Sequence, residues 1–208
     1  KLITFEGLDG CGKSTQLEKT KNWLNLQGYE VLKTQQPGGT KIGKQIRKIL
    51  LNPENNELHP ESELLLYLSD RIQHLAEKII PAKAEGKIVL CDRFHDSTVA
   101  YQGFGRGLNL ENIESIITYS IKPYSPDLTF LITISPETIS DRLDQRKEHS
   151  AKDRIDIESN NFFARVAKGY QKLATEDAGR FVCLDGEQEI EVIHQQIISE
   201  LKNRFRIG

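Results

Sequence analysis

Methionine is missing from this 208-residue chain, tryptophan occurs once and cysteine only three times. With Lys1 first and no methionine anywhere, the initiator is expected to have been removed. Cys11, Cys91 and Cys183 lack metal-ligand spacing, and their odd number argues against a disulfide framework, so reduced thiols are expected. No apolar run approaches the roughly 20 residues of a membrane span, and no charged-then-apolar leader precedes the first apolar segment. The balance of 28 basic against 30 acidic residues leaves a net charge of −2. That excludes a global attraction to nucleic acid or to a membrane surface, so any basic work must be local. Neither a linker nor an internal repeat is visible. The expectation is one cytoplasmic domain over 1–208, partnered by neither nucleic acid nor membrane.

What is present starts at the seventh residue. Gly7-Leu8-Asp9-Gly10-Cys11-Gly12-Lys13-Ser14 reads G-x-x-x-x-G-K-S, the Walker A pattern, followed by Thr15. Four fixed positions match by chance in under about 1% of chains this long. Glycine permits the backbone to ring a polyphosphate with its N–H groups. Lys13 would reach the β and γ phosphates, Ser14 would hold Mg²⁺, and the helix starting there would aim its positive end at the anion. The setting is right, with an apolar strand Leu2–Phe5 before the loop and an amphipathic helix Lys13–Gln27 after it, carrying Leu17, Trp23, Leu24 and Leu26.

Downstream, strands and helices alternate. A strand is expected at Glu30–Thr34, then a turn at Gln35–Thr40 and a helix at Ile42–Leu51. A long helix capped by Ser62 should run to about Glu85. Lys87–Asp92 reads as a central parallel strand that delivers an acid to its C-terminal edge. Then come a glycine-rich loop at Gly103–Gly107, a helix at Leu110–Ile121 and a strand at Leu128–Ile134. A helix opening at Pro136 carries Ile139 and Leu143, and the charged stretch Arg146–Asp156 is expected to be a mobile loop. A helix through Phe162, Val166 and Tyr170, a strand at Phe181–Leu184 and a helix at Ile190–Phe205 complete an α/β protein with a parallel sheet.

Phosphate binding alone does not select among motors, GTPases and small-molecule kinases. The run Leu90-Cys91-Asp92-Arg93-Phe94-His95-Asp96-Ser97-Thr98-Val99-Ala100-Tyr101-Gln102, continuing as Gly103-x-Gly105-Arg106-Gly107, does. Here the chain resembles the thymidylate kinase family. The resemblance extends to Phe5-Glu6-Gly7-x-Asp9, Pro37-Gly38-Gly39-Thr40, Asp70-Arg71-x-Gln73-His74-Leu75 and Asp153-Arg154-Ile155-Asp156. It implies a P-loop NTPase fold with a five-stranded parallel sheet flanked by helices, a short mobile lid at about 146–156, and a homodimer. The implied reaction is ATP-dependent, Mg²⁺-assisted phosphorylation of dTMP to dTDP.

The residue types suit a reaction in which the protein mainly positions groups and neutralises charge. Asp92 is placed to hold the metal with Ser14, and Arg93 to bridge the acceptor phosphate and the transferring group. The resemblance sets Asp9 against the acceptor's 3′-hydroxyl, Tyr67 on the thymine face and Arg71, one turn later, on a base carbonyl. It assigns Ser97, Thr98 and Gln102 to the base side of the acceptor, Tyr101 to the sugar's 2′ position, Pro37 to the cleft wall and Arg47 to the acceptor phosphate. Gly10 in the loop and a basic lid look like the bacterial-type arrangement. Arg142 resembles the residue that stacks on adenine, and Arg146 and Arg154 are candidates for charge neutralisation, ahead of Lys147 and Lys152. One departure stands out: Gln35-Gln36 replaces the usual Arg-Glu before Pro37. Two alternatives compete, a uridylate or cytidylate kinase, and a nucleotide-binding protein that keeps the fold without turnover.

Overall fold

A computed structural model describes residues 1–121, 124–135, 138 and 153–207. Five parallel strands form one sheet in the order β2-β3-β1-β4-β5, with β1 Leu2–Glu6, β2 Val31–Gln35, β3 Ile88–Asp92, β4 Leu128–Thr133 and β5 Phe181–Asp185. All five residues of β1 are buried, as expected of a central strand covered on both faces. Its side chains alternate. Ile3 and Phe5 pack with Leu90 and Phe130 against α1 (Lys13–Leu26) and the last helix, α8 (Ile190–Phe205). Leu2, Val89 and Cys91 face the opposite layer, with Leu64 and Leu68 of α3 (Pro60–His74) and Ile113 and Ile117 of α6 (Leu110–Ile121). The register sets Phe5 opposite Asp92, so the acid at the end of β3 emerges beside the turn that follows β1.

Between these lie α2 (Lys41–Leu51), α4 (Ile80–Ala84), α5 (His95–Thr98) and α7 (Asn160–Glu176). Thr40 caps α2, its side chain accepting from Gly43 N, and Ser159 caps α7, accepting from Phe162 N. Among the described residues no helix is long and apolar enough to cross a membrane.

Four expectations change. Leu26 is 84% exposed, and the buried side of α1 is Lys13, Gln16, Leu17, Thr20 and Leu24, mixed polar and apolar. The long helix starts at Pro60 rather than after Ser62, because Pro suits the first turn and His59 supplies the cap, accepting from Glu61 N. It also does not run unbroken. Pro81 has no N–H to offer the preceding turn, and the chain widens into a π-turn at Leu75–Ile79 before α4. The expected loop at Gly103–Gly107 is mostly helical, a π-turn spanning Val99–Gly105. Its glycines are there for close packing: a Cβ on Gly103 would lie 2.5 Å from Leu110, and one on Gly105 2.6 Å from Phe162. The helix expected from Pro136 through Ile139 and Leu143, and the lid up to residue 152, lie outside the described residues.

Candidate active site

The turn between β1 and α1 holds Gly7 through Gly12, and Lys13, Ser14 and the exposed Thr15 form the first helical turn. Gly7 has φ +133°, and a Cβ there would sit 2.2 Å from the Ile132 carbonyl oxygen, so only glycine fits. Gly12, at φ +101°, starts the helix. Leu8 and Cys11 are buried beneath the turn. Lys13 folds back over it, its ammonium donating to the carbonyls of Gly7 at 3.0 Å and Leu8 at 2.8 Å. The Ser14 hydroxyl donates to Asp92 Oδ2 at 3.0 Å. Thus the motif's lysine and serine and the acid of β3 converge at the C-terminal edge of the sheet, where ligands of open α/β sheets bind.

Arg93 follows directly and occupies the left-handed region, φ +65°, which costs a non-glycine residue energy and needs outside support. Two bonds hold this turn: Arg93 N to the Phe5 carbonyl at 3.0 Å, and Phe94 N to Glu6 Oε1 at 2.6 Å. The guanidinium reaches across the phosphate turn. Its Nη1 donates to Gly7 O at 2.9 Å, Tyr170 Oη at 3.2 Å and Ser97 Oγ at 3.3 Å, and Nη2 to Asp9 Oδ1 at 2.9 Å. Glu6 is fully buried. Burial, reinforced by Asp96, pushes its carboxyl up to about 6 against the pull of Arg93 and the bonds from Ser97 and Phe94.

Beside Arg93 opens a cleft lined by both charged and aromatic side chains. Every residue expected to bind the acceptor lines it: Asp9, Pro37, Arg47, Tyr67, Arg71, Arg93, Ser97, Thr98, Tyr101 and Gln102. They come from the turns after β1 and β2, from α2 and α3, and from the turn and helical stretch after β3. Arg71 is 2% exposed, and three of its five N–H groups donate to Gln36 Oε1 at 2.8 Å, Thr98 Oγ1 at 2.8 Å and the Phe94 carbonyl at 3.0 Å. Among the described residues no carboxylate pairs with it. Gln36, for which sequence reasoning offered no role, also lines the cleft and links Arg71 to His74 Nδ1 at 2.9 Å. The other ring nitrogen of His74 meets Thr34 Oγ1 at 2.6 Å. Burial, and then Arg71, bring the His74 pKa down to about 4, so this bridge holds a neutral ring. Arg47 donates to the Pro37 carbonyl at 2.9 Å, and among the described residues the buried Tyr101 hydroxyl has no hydrogen-bond partner.

A family model described as thymidylate kinase matches residues 5–197. The chain belongs to the thymidylate kinase family. It is 45% identical over 202 residues to a thymidylate kinase of Thermoanaerobacter sp. (strain X514), covering 97% of each chain. It is 43% identical over 204 residues to one from Acholeplasma laidlawii, covering 98% of this chain and 100% of the other. Among solved structures, thymidylate kinase from Ehrlichia chaffeensis superposes with a TM-score of 0.78 at 32% identity, over 97% of each chain. The five-stranded P-loop NTPase fold expected from the resemblance is therefore the one found, and the family's reaction is the ATP-dependent phosphorylation of dTMP to dTDP. These relatives do not favour a uridylate or cytidylate kinase.

One thymidylate kinase expectation looks different in the structure. Arg154, expected at the transferring phosphoryl, is 4% exposed and donates to the Leu50 carbonyl at 2.8 Å and to Glu63. Glu63 is completely buried and also accepts from Arg106 at 3.1 and 3.2 Å and from Gln102 at 2.8 Å. Burial alone would raise its pKa; Arg106, Gln102 and Arg154 together hold it below the ordinary carboxylate value. A buried anion demands such partners, and here it claims the Arg154 guanidinium. Arg142, Arg146, Lys147 and Lys152 lie outside the described residues. Sequence reasoning missed Glu63, Tyr170 and Glu6 as contributors. Glu6 stood inside a quoted motif, whereas Glu63 and Tyr170 carry no local signal.

Proposed function

We propose that this cleft performs the reaction of the thymidylate kinase family with the donor on the loop side and the acceptor on the α3 side. The observation that carries the reading is the position of Arg93, which touches Gly7 and Asp9 of the phosphate turn while lining the acceptor cleft. Lys13 exchanges its two loop carbonyls for donor phosphate oxygens, and the backbone N–H groups of the turn cradle the rest. Asp9 fixes Arg93 and accepts from the acceptor sugar. Tyr67 covers the base, Arg71, Thr98 and Gln102 meet its polar edge, and Arg47 and Pro37 close the phosphate end. Tyr101, buried with Arg93 against its ring, is the residue that excludes a ribose 2′-hydroxyl.

Mg²⁺ fits the residues present. Ser14 and Asp92 offer adjacent hard oxygens, and magnesium typically takes one or two protein ligands together with water and phosphate. When bound, the ion neutralises developing charge on the phosphate oxygens. Among the described residues there is no cluster of three or more His, Cys, Asp or Glu, which suits an ion that arrives with its nucleotide. Arg142 and Arg146 from the lid supply the adenine contact and further positive charge, and Arg154 does so only if it exchanges Glu63 for phosphate. A homodimer belongs to the same reading; exposed Leu65 and Ile72, seven residues apart on α3, and Tyr119 on α6 offer it apolar surface. The chain works as one domain in the cytoplasm.

A coupled assay of diphosphate formation from ATP with dTMP, dUMP, UMP and CMP tests the reading. Turnover should be fastest on dTMP, with UMP and CMP slower by about 10²-fold or more. Equal turnover on UMP would overturn the assignment of Tyr101 and the base-reading residues.

A further inference from the structure

Glu6 is the last residue of β1, completely buried, and none of the roles above uses it. Its bonding has a direction. An ionised carboxylate only accepts hydrogen bonds, and Glu6 takes Phe94 N on Oε1 at 2.6 Å, and the hydroxyls of Ser97 at 2.6 Å and Tyr170 at 2.8 Å on Oε2. Each hydroxyl has one hydrogen, and although the two oxygens also lie 2.8 Å apart, the charged carboxylate is the stronger acceptor for both. What remains on Ser97 and Tyr170 are lone pairs, and Arg93 Nη1 lies 3.3 and 3.2 Å from those two oxygens. The other face of the guanidinium lies over the Tyr101 ring, 5.0 Å from its centroid. The same carboxylate therefore supports the left-handed turn that aims Arg93 and orients the two acceptors that receive it. Tyr170 comes from α7, after the lid in sequence, so the set joins three separate elements.

We infer that Glu6 is a positioning residue for the acceptor phosphate, acting on Arg93 through Ser97, Tyr170 and the Phe94 amide. This rests on the reading that Arg93 contacts that phosphate. In Glu6→Gln the shape survives, but the amide oxygen is kept by Phe94 N and the amide nitrogen must donate to Ser97 and Tyr170. One displaced hydrogen can pass to the neighbouring hydroxyl, since the two oxygens are 2.8 Å apart, but the other turns toward Arg93, which loses at least one acceptor. The thymine and sugar contacts are untouched.

Calorimetric titration with dTMP and with thymidine, without ATP or metal, separates this role from a structural one. Glu6→Gln should weaken dTMP binding about tenfold while thymidine changes less than about twofold, since a hydrogen bond to a charged group is worth about that factor. Tyr170→Phe removes one acceptor without burying a new polar group and should weaken dTMP about threefold, again sparing thymidine. In an Arg93→Ala background, Glu6→Gln should change dTMP affinity by less than about twofold, because residues that act through one another are not additive. Equal losses for dTMP and thymidine, the same loss in both backgrounds, or no loss for either variant would overturn the inference. If Arg93→Ala alone leaves dTMP binding unchanged, the assignment of Arg93 fails first, and the inference with it.

Discussion

The donor loop and the acceptor cleft share a wall but are built on opposite plans. The loop is contiguous, nine residues from Gly7 to Thr15, and what it has to offer an anion is backbone N–H and one lysine. The cleft is assembled from side chains on several elements, and its Gln36, Arg71 and Thr98 belong to a chain of polar groups running Thr34–His74–Gln36–Arg71–Thr98, buried except at Thr34. A contiguous site tolerates change everywhere except at its few fixed positions. A distributed site depends on groups that never touch the ligand, so damage to it should show in stability as well as in binding.

The largest effect should come from the contiguous half. Lys13→Ala removes the cation that spans donor phosphates, and kcat should fall by about 10²- to 10³-fold with melting temperature little changed. A large loss of stability would blur the contrast, because it would mean that the Lys13 bonds to Gly7 and Leu8 hold the fold itself. Second, Glu63→Gln leaves Arg106 and Arg154 facing a neutral group inside the protein. Breaking a buried ion pair this way costs about 3–5 kcal/mol, read as a lower denaturant midpoint, and acceptor binding should weaken with it through Gln102.

The third effect is a pH dependence. His74 stays neutral in the folded chain down to about 4, whereas in the unfolded chain it takes up a proton below about 6.5. Its contribution is therefore intact above pH 6.5 and drains away as pH falls from 6.5 to 4, by about 3 kcal/mol. Urea unfolding across that window should show it, and His74→Gln should flatten the curve. The smallest effect sharpens the one departure from the family pattern. Gln36→Glu would supply a carboxylate to the buried Arg71 and should tighten dTMP binding about two- to fivefold in steady-state kinetics. An unchanged or weaker acceptor constant would show that the neutral bridge to His74 is the better support.

The same contrast decides how much could be read in advance. The convergence of Lys13, Ser14 and Asp92 was legible because their spacing and strand-end placement are local facts; of the cleft residues, Arg93, Ser97, Thr98, Tyr101 and Gln102 sit in one long matched motif, Asp9, Pro37 and Arg71 in shorter ones, and Arg47 and Tyr67 in none. Arg71 illustrates the limit: one helical turn from Tyr67 put it on the right face, but nothing local announced that each of its three nitrogens would already hold a partner inside the protein. Arg154 read as a free lid cation because its partner, Glu63, lies 91 residues away in sequence. Gly103 and Gly105 read as a loop because glycine's use for close packing against Leu110 and Phe162 leaves the same letter as its use in a turn. Leu26 fitted the helical period yet faces solvent, because Gln16 and Thr20 take the inner face of α1.

The central claim is that a phosphoryl group passes from the loop to the cleft beneath Arg93. The most direct measurement is dTDP formation from ATP and dTMP by the wild type and by Arg93→Ala, with ATP affinity determined alongside. The account predicts rapid turnover in the wild type and a loss of about 10²- to 10³-fold in kcat for the variant, with ATP affinity within about threefold. Turnover that survives the loss of Arg93, or a wild type that consumes ATP without making dTDP, would contradict it.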